Sequence, residues 1–184
     1  QLLKRNLLII IKQPVFLMNA LLNFVLPGIL LFISVTTGDL TLNEQTAAYT
    51  FVGLITAPAL LQNLSAPAIT REGKALWETR VLPVTSWENL RSRIETTVLI
   101  NISATLVTGI LGFLFLGVQA KILFAGGLFA LALLLFVAAS DLLINLYRPY
   151  LYWTNPAAAI KNNLNVLISL AYRPFLGLIP LLIY

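Results

Sequence analysis

Residues 121–141 read KILFAGGLFALALLLFVAASD. Nineteen residues without a charge separate Lys121 from Asp141, and most are Leu, Ala, Phe or Val. A helix needs about 20 mainly apolar residues to cross the hydrocarbon core of a bilayer. This stretch therefore predicts a membrane-crossing helix over about 122–143. Its small residues Gly126, Gly127, Ala130, Ala138, Ala139 and Ser140 suit close helix packing, and Gly126 and Ala130 form a small-xxx-small pair.

Working outward, the same reading applies to most of the chain. No charge occurs between Lys12 and Asp39, between Glu44 and Arg71, or between Glu95 and Lys121. These gaps predict spans over about 15–36, with Pro27 inside, 46–64 and 96–117. A fifth apolar stretch, 164–184, is interrupted by Arg173-Pro174. Only 10% of the 184 residues are charged, against about 25% in an ordinary soluble domain. The expected class is an all-α integral membrane protein, a polytopic bundle of about five segments forming one domain over 1–184. Residues 1–13 are apolar with a cationic edge and precede a break at Lys12 and Pro14, which predicts an interfacial helix. A chain that starts at Gln1 and ends inside an apolar run reads as part of a longer polypeptide.

Helix punctuation agrees with this division. Thr41-Leu42-Asn43-Glu44 and Thr85-Ser86-Trp87-Glu88 read as capping boxes, and Asn155-Pro156 reads as an N-cap followed by proline at the first helical position. Period-2 alternation is nowhere sustained, which excludes a membrane β-barrel. Ten cations fall on one side of the predicted spans: Lys4, Arg5, Lys12, Arg71, Lys74, Arg80, Arg91, Arg93, Arg148 and Lys161. Lys121 stands alone on the other, and Arg173 lies within the fifth segment. The positive-inside rule makes the crowded side cytoplasmic, with cytoplasmic loops at 65–95 and 144–163. The same rule accounts for the net charge of +5 without nucleic acid.

Covalent chemistry finds little material here. The chain has no Cys and no His, which removes thiolate and imidazole chemistry and the familiar zinc, copper and haem sites. Gly73-Lys74 does not complete a phosphate-binding loop, because Ala68 and Ala75 stand where glycine and Ser or Thr are required. Glu72, Glu78 and Glu88 are expected to form solvated ion pairs among the loop cations. Glu95 and Asp141 fall near span ends and are expected to face each other or to pair with Arg93 and Arg148. Arg173 is either an intramembrane charge facing protein, with Asp141 or Glu95 as its partner, or the residue before a span that starts at Pro174.

The loop 65–95 is longer than a connection requires. It predicts a mixed-charge helix at about Arg71–Arg80, a break at Leu82-Pro83 and a second, capped helix. Its apolar residues Leu76, Trp77, Val81, Leu82 and Trp87 suit either a partner's surface or the headgroup layer, where tryptophan is enriched. Thr70-Arg71-Glu72-Gly73-Lys74-Ala75-Leu76-Trp77 followed by Leu82-Pro83-Val84-Thr85 resembles the first cytoplasmic loop of a group of bacterial ATP-binding cassette exporter permeases. Asp141-Leu142, Arg148-Pro149-Tyr150-Leu151-Tyr152-Trp153-Thr154-Asn155 and Lys161-Asn162-Asn163-Leu164-Asn165 resemble a second motif of the same group.

The resemblance implies a multi-pass permease of the bacterial inner membrane, here its C-terminal half. It would work with a separate cytoplasmic ATPase subunit and with the rest of the permease or a second copy. ATP would bind the partner, with no cofactor on this chain. Arg71, Glu72, Gly73, Lys74, Leu76, Trp77, Leu82 and Pro83 would dock the ATPase, with Leu76 and Trp77 in a pocket and Arg71, Glu72 and Lys74 at its polar rim. Asp141, Arg148, Pro149, Trp153, Asn155 and Lys161 would belong to the second cytoplasmic loop. An ion-gradient-driven transporter or channel and a non-transporting scaffold are the alternatives.

Overall fold

The structure is a computed structural model and describes residues 1–36 and 44–179. Every regular element among them is helical. Helix α1 (Leu2–Lys12) ends where Gln13 adopts an extended conformation, and α2 (Pro14–Thr36) starts at once with proline in its first turn. After α3 (Glu44–Leu61) come a 3-10 turn (Thr70–Ala75) and the short α4 (Leu76–Val81). The long helices α5 (Ser86–Leu116) and α6 (Ala120–Tyr147) follow, then a four-residue α7 (Ala158–Lys161) and α8 (Leu164–Gly177). Thr41–Asn43 of the first expected capping box, the outer loop at Gly38-Asp39 and residues 180–184 of the fifth stretch lie outside the described residues.

Among the described residues three helices are long and apolar enough to cross a membrane: α2 over Pro14–Ile33, α5 and α6. At 31 residues α5 is about 46 Å long, well beyond the ~30 Å hydrocarbon core. The charged residues Arg91, Arg93 and Glu95 all fall in its first ten residues, leaving an uncharged stretch long enough to cross that layer. The capping box that starts α5 is complete: Thr85 Oγ1 accepts from Glu88 N at 3.2 Å, and Glu88 accepts from Thr85 N at 2.7 Å. Gly117, at φ +61°, lets the chain leave α5 in the left-handed conformation.

Helix α3 is the hub, packed on α2, α5, α6 and α8. It buries Ala47, Ala48, Phe51, Leu54 and Ile55 and most residues of its last two turns. A helix wrapped by protein need not be as apolar as one facing lipid, and α3 buries Thr56, whose hydroxyl donates to the carbonyl of Val52 at 2.8 Å. Phe51 is wedged between two glycines. A Cβ on Gly112 of α5 would lie 2.9 Å from its ring, and one on Gly126 of α6 would lie 3.3 Å away.

Polar pairs bridge the helices where apolar packing alone would leave rotation free. Asn6 of α1 donates to Ser92 of α5 at 3.0 Å, and Asn23 of α2 donates to Asn101 of α5 at 2.9 Å, all four buried. In hydrocarbon such bonds contribute about 0.6–2 kcal/mol each. The two ends of the bundle differ in character. At one end the turn between α5 and α6 meets the start of α3 through Gln119 and Glu44. At the other, α1 and the segments 62–85 and 148–163 come together with most of the cations.

Candidate functional site

The cation-rich end is organised around Thr70. Asn145, on the last turns of α6, accepts from the backbone N–H of Ile69 at 2.7 Å and of Thr70 at 3.2 Å, and donates to Thr70 Oγ1 at 2.8 Å. Thr70 Oγ1 also accepts from Tyr150 N at 3.1 Å, and Thr70 O accepts from the Trp153 indole at 2.7 Å. Thr70 and Asn145 are fully buried. Two sequence segments 75 to 83 residues apart thus form a single assembly.

Gly73 fixes the shape of that assembly. Its backbone sits at φ +52°, ψ −129°, a conformation suited to glycine. A Cβ there would also lie 2.8 Å from the Trp153 ring. The continuous helix expected over Arg71–Arg80 is therefore corrected: a kink at Gly73 interrupts the 3-10 turn, and α4 starts only at Leu76.

Glu72 is the centre of a buried ion knot. It accepts from Arg5 of α1 at 2.7 Å, from Arg93 of α5 and from Thr79 of α4. Arg93 further donates to Asn89 at 2.8 Å and to the carbonyl of Ala68. Arg71 packs 6.0 Å from the centroid of the Phe16 ring. Burial, followed by the charge of Arg93, pushes Arg71 down to about 9, with Glu72 pulling the other way. The expectation of a solvated Glu72, and of Arg71 and Glu72 at a docking rim, is corrected. Both are buried and hold the loop to α1 and α5, because a charged loop beneath a helix bundle finds its partners on the bundle.

Leu76 is also turned inward, against Ala68, Ile69 and Leu142. What the loop exposes is Lys74, Trp77, Glu78, Val81, Leu82, Pro83 and Trp87, with Trp77 62% exposed. Beside Lys74 and Trp77 stands Tyr152, 83% exposed. A cleft of about 390 Å³ runs between the two segments, lined by Gly73, Lys74, Leu76, Trp77, Leu151 and Tyr152.

The residues of the second segment separate into two groups. Trp153 is partly buried against Gly73, while Arg148, Pro149, Asn155 and Lys161 are exposed. Asn155 Oδ1 accepts from Ala158 N at 2.9 Å, and the helix begins only at Ala158, later than Asn155-Pro156 suggests. Asp141 is not a loop residue at all. It lies on α6, fully buried, paired with Arg173 of α8. Asp141 also accepts from Tyr172 at 2.7 Å, from Gln62 at 3.3 Å and from Ser65. Arg173 donates to the carbonyls of Gln62 and Leu60 at the end of α3. Of the two partners expected for Arg173, Asp141 is the one it meets; the expected pairing of Asp141 with Arg148 is corrected, and Glu95 pairs on the surface with Arg91 at 2.7 Å. Arg173 faces protein.

The described residues form an all-helical structure with three membrane-compatible helices and a polar, tightly bonded assembly at one end. Comparison with known protein families, curated proteins and solved structures returned no match. Sequence reasoning missed the partners Gln62, Ser65, Thr79, Asn145 and Tyr172. The signal for Asn145 was a lone amide in the last apolar turns of α6, four residues after Asp141.

Proposed function

We propose that this chain is a membrane-spanning permease part of an ATP-driven exporter, with the cation-rich end in the cytoplasm and a separate ATPase subunit docked on it. In this reading α3 and α8 also enter the bilayer, giving about five segments, and the membrane is a bacterial inner membrane. The observation that carries the reading is the union of the two motif segments at Thr70, Gly73, Asn145 and Trp153. Force delivered to an exposed loop reaches a bundle only through a stiff connection. Here the loop is tied to α1 and α5 by the ion knot and to α6 by Asn145.

The docking surface is narrower than the sequence suggests. Lys74, Trp77, Leu82 and Pro83, joined by Tyr152, are exposed and can fill or rim a partner's pocket, with the aromatic residues as anchors. Arg71, Glu72 and Gly73 act behind that surface. The test is co-purification of the ATPase subunit with Trp77→Ala and Tyr152→Ala variants. Both are expected to insert normally, to lose at least about tenfold in association, as a hot-spot truncation of more than 1.4 kcal/mol implies, and to lose transport-coupled hydrolysis. Unchanged association in both would refute the docking surface. A transporter driven by an ion gradient is the second reading, favoured by the buried Asp141–Arg173 pair. It requires transport that survives ATP depletion and collapses with an ionophore.

A further inference from the structure

A groove of about 640 Å³ runs along the face formed by α5 and α6. One wall extends from Ile102 to Leu114 on α5, the other from Ala120 to Leu131 on α6. Ile55 of α3 forms the floor: it is buried, and a Cβ on Gly109 would lie 3.2 Å from it. Gly109 and Gly127 keep the middle of the walls free of side chains, and a Cβ on Gly127 would meet nothing within 4 Å. Thr105 carries the one polar side chain among these lining residues, and its hydroxyl is buried. What the groove offers an occupant is hydrocarbon along its length.

The length of the groove matches one leaflet. At 1.5 Å per residue its walls are about 16–18 Å long, close to half of the ~30 Å hydrocarbon core. It begins at the turn that joins α5 to α6 and ends at Leu131, the residue midway between Lys121 and Asp141. It therefore lies in the half of the bilayer away from the cation-rich end. Lys121 stands at its outer mouth, exposed, next to Ala120 and two turns before Leu128 on the same face of α6. A spanning helix from a partner would call for a groove through both leaflets, with polar side chains to bond across the contact. This groove supplies neither.

We propose that the groove binds one acyl chain of a phospholipid from that leaflet, with the phosphate at Lys121 and the end of the chain near Leu131. Hydrophobic transfer does not favour the site, because the rest of the bilayer is equally apolar. Dispersion does: a chain on a single helix face touches protein on one side, whereas here it touches α5, α6 and α3. An empty groove would forfeit those contacts along its whole lining. At the mouth, the positive end of the 28-residue α6 dipole adds to the charge of Lys121. The bound chain props α5 and α6 apart over this half of the bundle. The proposal rests on α5 and α6 crossing the bilayer and does not depend on ATPase docking.

The test places the full chain in phosphatidylcholine nanodiscs containing a small fraction of phosphatidylcholine with a diazirine midway along one acyl chain. After illumination, mass spectrometry locates the labelled residues. Phe113, Phe124 and Leu128 of the groove are expected to take several-fold more label than Ile29 and Leu30, which are exposed on the membrane-compatible α2. Gly127→Leu fills the groove from a position with open space around it. It is expected to cut groove labelling about tenfold, with helix content and α2 labelling unchanged. Gly28→Leu, with equally open surroundings on α2, is expected to leave groove labelling as in the wild type. Lys121→Gln is expected to reduce it about twofold to fivefold, the effect of an exposed charge pair. Groove labelling no higher than that of α2, or wild-type groove labelling in Gly127→Leu or Lys121→Gln, would overturn the proposal. So would an unlabelled groove together with disulfide cross-linking of Leu114→Cys chains, which would make a second copy the occupant.

Discussion

Replacing Arg173 with methionine probes the most buried cation among the described residues. The guanidinium serves three acceptors: the carboxylate of Asp141 and the carbonyls of Leu60 and Gln62. Methionine keeps much of the side chain's volume and removes all three bonds. Asp141 would then stay buried with only the neutral donors Ser65, Gln62 and Tyr172. Removing one partner of a buried ion pair costs about 3–5 kcal/mol. Two carbonyls at the end of α3 lose a donor as well, at about 1–3 kcal/mol for a group left unsatisfied. The expected loss is therefore at least about 5 kcal/mol.

Asp141→Leu alone leaves Arg173 buried without its counter-charge, held only by the carbonyls of Leu60 and Gln62, and its expected cost is about 3–5 kcal/mol. The double variant removes both charges. Hydrophobic replacement of a whole buried pair is often neutral, so the double should be more stable than either single variant. Equilibrium unfolding in mixed micelles, with SDS as denaturant and helix content as readout, measures all four proteins of the cycle. A wild-type midpoint for Arg173→Met, or a double variant as costly as the two singles summed, would refute the view that the pair works as one unit.

Two further outcomes follow from the geometry. Gly73→Ala combines a backbone near φ +52° with a Cβ 2.8 Å from the Trp153 ring; it should cost about 1–3 kcal/mol for the backbone alone, visible in the same unfolding assay, whereas Gly127→Ala, with open space around it, should be nearly neutral. The chain has no native cysteine, so single cysteines report its sidedness: an impermeant maleimide on intact cells should label Lys121→Cys but neither Glu78→Cys nor Tyr152→Cys, and the opposite pattern would invert the orientation.

Much of the helix plan was legible because charges and prolines mark its boundaries. Lys12 and Pro14 separate α1 from α2, Thr85 and Glu88 start α5, and Gly117 ends it. The class followed from apolar length alone, which local sequence measures directly. The destinations of the polar side chains were not legible. Glu72 sits among loop cations in the sequence, yet its partners include Arg5 and Arg93, 67 and 21 residues away. No local pattern separates a carboxylate that meets water from one that folds back against a bundle. Arg173 was ambiguous for a similar reason, since its partner Asp141 and its carbonyl acceptors belong to other helices.

The same physics explains why so few polar groups determine so much. Against lipid, one apolar helix face is nearly as good as another, and burial of apolar area hardly selects the rotation of α2, α5 or α6. Hydrogen bonds do select it, because an unsatisfied polar group in hydrocarbon costs several kcal/mol. Asn23 with Asn101, Asn145 with Thr70 and Asp141 with Arg173 each join a different pair of elements. They fix α2 on α5, the loop on α6 and α8 on α6. If the bundle changes shape during a transport cycle, these bonds mark where it moves as rigid pieces. Motion would then fall on contacts without such bonds, above all the apolar groove of about 640 Å³ along α5 and α6, with Gly109 and Gly127 in its wall.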